Sequence, residues 1–352
     1  MAKKEEKVDL NQQLEQELAK FSFGDMLDLA ENITDMSVEC TPTGFPQLDV
    51  ILHSQLKGLP HGRDIEIFSK EPEVGKTSLG LQILQQWQSL GKRTLIIDVE
   101  RTITVEFLNQ LGIVTNTEDP GIPAVRISRP TDALTAEQVL DLVKDASKVF
   151  DLIVVDSIGA MDIKANLEKE SEENNKIGAM ALLLSNFLKK NVAKRATVIW
   201  VNQTRQIVGG YNPTGNVRYA TMGGRALPFF GSIRLELSIV EKLKDANDEV
   251  YALKTKVYTF KNKVSPPYKQ AMLTYVLGEG FSVYYDYFDM ALKLGIIQKK
   301  GGWYQYGDVK IQGDLNFYQK MKTNSDLFIS IKKSIEEELT NAGAAGIPND
   351  SE

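Results

Sequence analysis

Short apolar runs alternate with longer periodic stretches over most of the chain. The runs are rich in β-branched residues and nearly continuous in hydrophobicity, which is typical of parallel strands covered on both faces. Between them, apolar positions recur at helical spacing over 76–90 and 178–190. This order predicts an α/β core with a mostly parallel central sheet. Its clearest predicted strands are 65–68, 94–97, 152–155 and 197–201.

The pattern changes toward the C-terminus. Three apolar runs follow one another without long helices and predict an antiparallel extension of the sheet, at 233–239, 251–258 and 271–277. A small mixed α/β domain then ends in a predicted helix over 327–339, and a Gly-, Ala- and polar-rich tail is predicted to be disordered. We therefore expect an N-terminal segment, a core, a small C-terminal domain and a tail, at 1–42, 43–280, 281–340 and 341–352.

A leucine stripe precedes the core. Leu10, Leu14 and Leu18 recur at i, i+4 and i+8 and predict one apolar face on a short helix, followed by Phe21 and Phe23. Such a face must be covered by other apolar groups. Two alternatives remain: the stripe packs on the chain's own core, or it docks on a neighbouring subunit.

The amino-acid composition argues against several classes of protein. The single cysteine, Cys40, excludes an internal disulfide framework and fits a reducing cytoplasm, while two histidines, His53 and His61, leave little for a metal site. No window resembles a membrane span, and the polar N-terminus lacks a signal peptide's apolar region. We expect a cytoplasmic protein that does not contact membranes. The formal net charge of -6 counts against nucleic-acid binding only if it is averaged over the whole chain.

The residues after the first predicted strand form a phosphate-binding motif. A strand, a tight loop ending in Gly-Lys-Thr and a helix make up the P-loop, whose backbone N–H groups face the phosphates. Lys76 is predicted to reach the β- and γ-phosphate oxygens, and the Thr77 hydroxyl to bind Mg²⁺. The predicted nucleotide-binding residues here are Glu71, Pro72, Glu73, Val74, Gly75, Lys76, Thr77 and Ser78.

The start of this loop departs from the P-loop pattern, which has a glycine five residues before Gly75. Lys70 occupies that position, or Ser69 is the counterpart if the loop contains one inserted residue. Neither has glycine's freedom at positive φ. We expect a variant path here, with Lys70 adding a charge near the nucleotide.

Polar residues follow the neighbouring predicted strands. Asp156 ends the third strand, where it is placed to hold the water shell of Mg²⁺, and Glu100 ends the second, where it could act as a general base. The alternative is that both acids cap the helices that follow. Gln203 comes directly after the fourth strand and could sense the state of the nucleotide.

These motifs together resemble the RecA family of ATP-dependent recombinases over almost the whole chain. Gly-Gly-Trp-Tyr at 301–304 continues the resemblance into the C-terminal domain and favours the bacterial-type branch. The fold implied is a RecA-like P-loop NTPase core with an N-terminal docking segment and a small C-terminal domain. The segments that carry the resemblance are 43–49, 58–63, 70–78, 98–100, 154–157, 201–205, 223–227, 261–263 and 278–280.

The resemblance implies roles in the nucleotide site. Glu100 would activate the attacking water, and Gln203 would be the switch that links the γ-phosphate to a DNA-binding loop. Phe107 would stack on adenine. Lys261 and Lys263 would reach the ATP of the neighbouring subunit across a filament interface and neutralise transition-state charge, as an arginine finger does. Two solvated lysines on a strand are the alternative interpretation of that pair.

The resemblance also implies docking surfaces for a helical filament. The N-terminal helix and a strand near 37–40 would bind the adjacent protomer, and Phe229 would lie at that interface. The acidic tail common in bacterial members is reduced to Asp350 and Glu352, and Leu182 stands where the family usually has arginine. These departures fit a divergent member, including one encoded by a phage.

Two loops would line the filament axis. The second, 204–226, contains no acidic residue and suits binding of a phosphate backbone through arginines and glycine N–H groups. The first, 162–177, contains five acids against three lysines, so the helix after it is the better candidate. The predicted DNA-binding residues are Gly178, Ser185, Lys189, Arg205, Arg218, Gly223, Gly224 and Arg225.

The sequence thus predicts an ATP- and Mg²⁺-dependent protein that polymerises on single-stranded DNA, pairs it with homologous duplex and exchanges strands, with DNA-stimulated ATP hydrolysis. Two alternatives remain. A hexameric helicase shares the core, and a recombination mediator could bind ATP without using it, given the altered start of the P-loop.

Overall fold

The computed structural model describes residues 38–53, 57–128, 134–163, 173–190, 196–206, 219–245 and 247–343. The leucine stripe, Arg218 and all but three residues of the predicted tail lie outside these ranges. The elements below belong to one compact unit that begins at Cys40. Within the ranges described, no helix has both the length and the hydrophobicity needed to span a membrane.

A large sheet forms the centre of the molecule, and the described residues contribute ten strands to it. They are β3 (Asp64–Ser69), β4 (Thr94–Asp98), β5 (Arg126–Ser128), β6 (Leu152–Asp156), β7 (Thr197–Gln206), β8 (Tyr219–Thr221), β9 (Ile233–Lys244), β10 (Val250–Asn262), β11 (Gln270–Val276) and β12 (Gly280–Phe281). The order is β12-β11-β10-β9-β3-β7-β6-β4-β5, with β8 paired to the end of β7. Two short strands outside it, β1 (Cys40–Thr41) and β2 (Leu59–Pro60), pair with each other.

The sheet is parallel from β5 to β9 and antiparallel from β9 to β12. The predicted parallel core and its antiparallel extension are therefore confirmed. The predicted strand 233–239 lies in β9, which pairs parallel with β3 on one side and antiparallel with β10 on the other. This strand joins the two halves of the sheet.

Helices cover both faces of the central sheet. They are α1 (Pro46–Leu52), α2 (Lys76–Ser89), α3 (Val105–Gln110), α4 (Ala136–Ala146), α5 (Glu173–Lys190) and α6 (Ala226–Phe230). Val154 of β6 packs in the hydrophobic core on the α2 face, whereas its neighbours Ile153 and Val155 pack in the core on the α4 and α5 face. Alternate side chains of a strand point to opposite faces, so burial on both sides explains the continuous hydrophobicity of these strands.

Two predicted loops are shorter in the structure. Helix α5 begins at Glu173, five residues before the predicted start, and so takes the end of the first predicted loop. The second predicted loop is wrong at its start and near its end, because 204–206 extend β7 and pair antiparallel with β8. Backbone pairing between 204–206 and 219–221 replaces the loop predicted at these positions.

The C-terminal domain has its own hydrophobic core. It comprises α7 (Val283–Lys293), β13 (Gln298–Lys300), β14 (Trp303–Tyr306), β15 (Val309–Gln312), α8 (Asp314–Thr323) and α9 (Ser325–Gly343). Phe288, Phe317 and Ile331 lie in that core. The helix predicted over 327–339 continues through Gly343, three residues into the predicted tail.

A buried carboxylate joins the C-terminal domain to α1. Asp286 accepts hydrogen bonds from the backbone N–H of Gln47 (3.1 Å) and from the Nε2 of the same residue (2.6 Å). Burial raises the pKa of Asp286 to about 8.

Candidate nucleotide and nucleic-acid sites

The P-loop connects the end of β3 to the start of α2. Gly75 has φ +91°, and a Cβ atom there would lie 2.8 Å from the ring of Phe281, so both the conformation and the close packing require glycine. The Lys76 ammonium donates to Ser69 Oγ at 2.8 Å, and Ser69 Oγ donates to the carbonyl of Glu71 at 2.5 Å. Ser69 thus closes the loop around the lysine.

Lys70 points to one side of this loop. Its Nζ lies 3.1 Å from Glu236 Oε1, and its side chain is 57% exposed. Ser69 is the last residue of β3, in register with Gln203, and contacts Lys76. This geometry favours the alternative in which Ser69 stands at the glycine position and Lys70 is the inserted residue.

The loop opens onto a pocket of about 410 Å³ at the carboxyl ends of β3, β6 and β7. Ligands of open α/β sheets bind at this edge of the sheet. Burial lowers the pKa of Lys76, while the carboxylates of Asp156 and Glu100 oppose that effect. The residues that line the pocket are Ser69, Lys70, Glu71, Pro72, Glu73, Lys76, Thr77, Glu100, Asp156, Val201, Gln203 and Thr204.

Two oxygen donors, one on Thr77 and one on Asp156, meet in this pocket. The Thr77 hydroxyl donates to Asp156 Oδ2 at 2.7 Å. Burial raises the pKa of Asp156 to about 6, and the negative charges of Glu100 and Asp98 add to that effect, while the Thr77 hydrogen bond and Lys76 oppose it. A hydroxyl and a carboxylate are hard donors, and Mg²⁺ in nucleotide sites takes one or two protein ligands together with substrate phosphates and water. The donors present therefore fit Mg²⁺.

Glu100 is held beside Asp156 by two donors. Gln203 Nε2 donates to Glu100 Oε1 at 3.2 Å, and the Ser157 hydroxyl donates to the same oxygen. Helix α3, which follows Glu100, is capped by Thr104 instead, so the alternative that Glu100 caps this helix is wrong. The carboxylate is partly exposed and faces the pocket, which is the position required of a group that binds a water molecule there.

Sequence reasoning missed three residues around this pocket. Asp98, the last residue of β4, accepts backbone N–H groups of Thr102 and Ile103, each at 3.2 Å, and shapes the turn after Glu100. Ser157 orients Glu100, and the Tyr275 hydroxyl lies 3.3 Å from Ser78 Oγ. Ser157 and Asp98 lie in segments that carry the family resemblance, 154–157 and 98–100, but no role was predicted for either residue. No sequence pattern marked Tyr275.

Phe107 lies on α3, and its side chain is half-buried against the core on the α2 face. Its backbone N–H donates to the Thr104 hydroxyl at 3.1 Å. Stacking of this ring on adenine stays a prediction.

Lys261 lies near the end of β10, and Lys263 directly follows that strand. Lys261 Nζ donates to the carbonyls of Pro228 (2.7 Å) and Phe229 (2.9 Å) in α6. Burial, reinforced by the charges of Lys263 and Arg234, lowers the pKa of Lys261 to about 8. Neither lysine lines the chain's own nucleotide pocket, and the Phe229 side chain beside them is 63% exposed. This placement is compatible with the predicted action on a neighbouring subunit, which stays a prediction.

Two family models match the chain. The RecA N-terminal domain matches residues 8–282, and the RecA C-terminal domain matches residues 286–340. The chain belongs to the RecA family. Its similarity extends over whole proteins named Protein RecA: that of Bacillus subtilis (strain 168) is 34% identical over 335 residues, which are 93% of this chain and 91% of the relative.

Other RecA relatives are similarly distant. Protein RecA of Caldanaerobacter subterraneus subsp. tengcongensis is 34% identical over 92% of this chain and 91% of its own length. For Streptomyces coelicolor the identity is 33%, over 91% of this chain and 82% of the relative. The resemblance drawn from the sequence motifs is thus confirmed for the family and for its fold.

The residues predicted to bind DNA in this RecA-family chain lie on a helix, a hairpin and a turn. Gly178, Ser185 and Lys189 are on α5, and the Lys189 ammonium lies 5.8 Å from the centre of the Phe230 ring. Arg205 is exposed on β7. The other predicted contacts, Gly223, Gly224 and the exposed Arg225, lie between β8 and α6.

The two glycines have a structural role that their sequence did not indicate. Gly223 and Gly224 have φ +75° and +64°, and Cβ atoms on them would lie 2.8 Å from Leu184 and 2.9 Å from Ala181 of α5. The turn therefore packs directly on the helix that carries Gly178, Ser185 and Lys189. Contact with DNA stays a prediction for all these residues.

Proposed function

We infer that this chain is an ATP-dependent homologous recombination protein that forms filaments on single-stranded DNA and catalyses homologous pairing and strand exchange. Membership of the RecA family, whose members hydrolyse ATP, supports this function. The observation that carries it is the convergence of Lys76, Thr77, Asp156, Glu100 and Gln203 on one pocket.

In that pocket, each of several residues of the chain has a different role in binding or hydrolysing ATP. Lys76 leaves Ser69 to bind the β- and γ-phosphate oxygens, and backbone N–H groups of the P-loop and α2 bind the rest. Thr77 and Asp156 would hold Mg²⁺, which neutralises charge on the phosphates when it is bound. Glu100 takes the proton of the attacking water, and Gln203, hydrogen-bonded to Glu100, responds to the γ-phosphate.

The site is completed by a second subunit in this proposal. Lys261 and Lys263 reach the ATP of the adjacent protomer and stabilise charge on the transferring phosphoryl group. Each protomer therefore gives its lysines to one neighbour and receives lysines from the other. Repetition of such a head-to-tail interface generates a helical filament.

DNA lies against α5 and the turn that packs on it. Arg205, Arg225 and Lys189 supply positive charge, while Gly178 and Ser185 allow a backbone to approach. Such contacts bind phosphates without reading bases, as pairing by homology requires, because the sequence is then read by base pairing alone. The cytoplasm, where DNA and reducing conditions occur together, suits this function and the single Cys40.

The proposal is tested by ATP turnover with and without single-stranded DNA, together with electron microscopy. We expect stimulated turnover and helical filaments with ATP. The variant Lys76→Ala should lose ATP binding, because the ammonium that contacts the phosphates is gone. If DNA does not stimulate turnover and no filaments form, the proposed function is wrong; if Lys76→Ala binds ATP normally, the altered P-loop is a degenerate site.

Substitutions at two glycines distinguish effects on packing, seen in the free energy of unfolding, from effects on DNA binding. Gly178→Ala should raise the free energy of unfolding by about 0.5–1 kcal/mol, because alanine favours a helix interior and nothing lies within 4 Å of its Cβ. It should nevertheless weaken binding of single-stranded DNA, measured by fluorescence anisotropy, if a DNA backbone approaches this position. Gly223→Ala should lower the free energy of unfolding by at least about 1 kcal/mol, because of its positive φ and the collision with Leu184. Unchanged DNA affinity in Gly178→Ala would remove Gly178 from the proposed interface.

A further inference from the structure

A network of buried polar side chains crosses the centre of the sheet. Glu66 on β3 is completely buried and lies directly opposite Arg234 in the pairing of β3 with β9. One carboxylate oxygen of Glu66 accepts from Arg234 Nε, and the other accepts from Asn202 Nδ2 of β7 at 2.7 Å. A single carboxylate thus joins the two strands on either side of β3.

One end of this network reaches the nucleotide pocket. The side-chain oxygen of Asn202 accepts from the backbone N–H of Gln203 at 2.8 Å, and Gln203 Nε2 donates to Glu100. Asn202 Nδ2 also donates to the carbonyl of Met222 at 3.0 Å, just after β8. The network therefore fixes the backbone at the switch residue and the strand that pairs beside it.

The other end of the network faces Lys261. Arg234 lies opposite Lys261 in the pairing of β9 with β10. Its guanidinium carbon lies 4.6 Å from the ring centre of Phe68 and 5.5 Å from that of Phe260, so two aromatic rings hold it. Arg234 and Glu66 therefore occupy the space between the pocket of one site and the lysine predicted to serve the next.

Stability alone does not explain why a protein has a buried ion pair. Removing two charges from water is costly, and well-packed apolar residues in the same place are often at least as stable. We propose that Glu66 and Arg234 are a positioning pair that couples the Gln203 switch to Lys261 across the sheet. The inference rests on the proposed function, because it assumes that Gln203 and Lys261 act on ATP. Neither Glu66 nor Arg234 lines the nucleotide pocket.

The pKa of Lys261 gives a readout of whether the charges of the pair act on this lysine. The positive charges of Lys263 and Arg234 lower the pKa of Lys261, and the negative charge of Glu66 raises it. Removing the charge of Glu66 in Glu66→Gln should lower that pKa further. Removing the charge of Arg234 in Arg234→Met should raise it.

The test uses full-length chains assembled on single-stranded DNA. Glu66→Gln should move the alkaline limb of the pH profile of ATP turnover to lower pH, and Arg234→Met should move it to higher pH, because Lys261 acts in its charged form. Both should reduce DNA-stimulated kcat by about 5–150-fold, the usual range of coupling between sites. Affinity for a fluorescent ATP analogue without DNA should stay at the wild-type value, because the P-loop is intact.

Two further variants distinguish loss of coupling from loss of folding. The double variant Glu66→Met/Arg234→Met replaces the pair by apolar side chains; it should fold with the wild-type circular dichroism spectrum and still lose DNA stimulation. A matched control removes a different ion pair, which joins Lys254 of β10 to Asp289 of α7 (2.6 Å), by Lys254→Met/Asp289→Asn. This control should keep the wild-type kcat and pH profile.

The outcomes are distinguishable. If the wild-type chain shows no DNA-stimulated turnover, the proposed function fails before the pair is tested. If the wild type is stimulated and the folded double variant is stimulated equally, the coupling role of Glu66 and Arg234 is overturned. A shift of the alkaline limb in the same direction for both single variants would also overturn it.

Discussion

Glu100→Gln is expected to lower kcat for ATP hydrolysis by about 10²–10⁴-fold, the usual contribution of a general base. The amide has the shape of the carboxylate, and its oxygen can still accept from Gln203 and Ser157, so the pocket should keep its geometry and its affinity for ATP. What is lost is the ability to take a proton from water. Single-turnover hydrolysis and binding of a fluorescent ATP analogue measure the two effects separately.

The matched control is Glu106→Gln, which neutralises an exposed carboxylate on α3 outside the pocket. It should hydrolyse ATP at the wild-type rate. Wild-type turnover by Glu100→Gln would show that another group activates water, whereas loss of ATP binding by this variant would mean that Glu100 holds the nucleotide or its metal.

Lys261→Met is expected to lower DNA-stimulated kcat by at least about 10³-fold, the lower end of the effect of an arginine finger. Methionine keeps most of the length of the lysine stem but cannot donate to Pro228 and Phe229 or carry charge to a neighbouring ATP. ATP binding by the isolated protomer should be unaffected, because Lys261 lies outside that protomer's pocket.

Mixed filaments test whether Lys261 acts across the interface. A site made from one subunit's Glu100 and the next subunit's Lys261 is intact when a Lys261→Met subunit meets a Glu100→Gln subunit in the right order. Equal mixing of these two inactive variants should therefore restore activity at about a quarter of the head-to-tail interfaces. Mixing Lys76→Ala with Glu100→Gln should restore none, because both changes lie in the same subunit's half of the site. No recovery in the first mixture would place Lys261 outside the neighbour's site.

Local sequence patterns determined the parallel strands and the position of the phosphate loop. Continuous β-branched runs predicted the parallel strands, because burial on both faces leaves no polar alternation. Gly75, Lys76 and Thr77 marked the phosphate loop, since backbone N–H groups can surround phosphates only where a tight turn opens a helix. Asp156 and Glu100 were found because the carboxyl ends of neighbouring parallel strands meet at one edge of a sheet.

Tertiary structure decided what depends on pairing between distant segments. The pairing of β7 with β8, the packing of Gly223 on Leu184 and the contact between Ser78 and Tyr275 join residues far apart in the chain, so no local periodicity records them. The sequence run that contains Arg234 predicts a strand but does not indicate which residue lies opposite Arg234. Only the register of β9 beside β3 brings its charge to Glu66, because strand neighbours are chosen by the whole fold, whereas strand formation follows from local sequence.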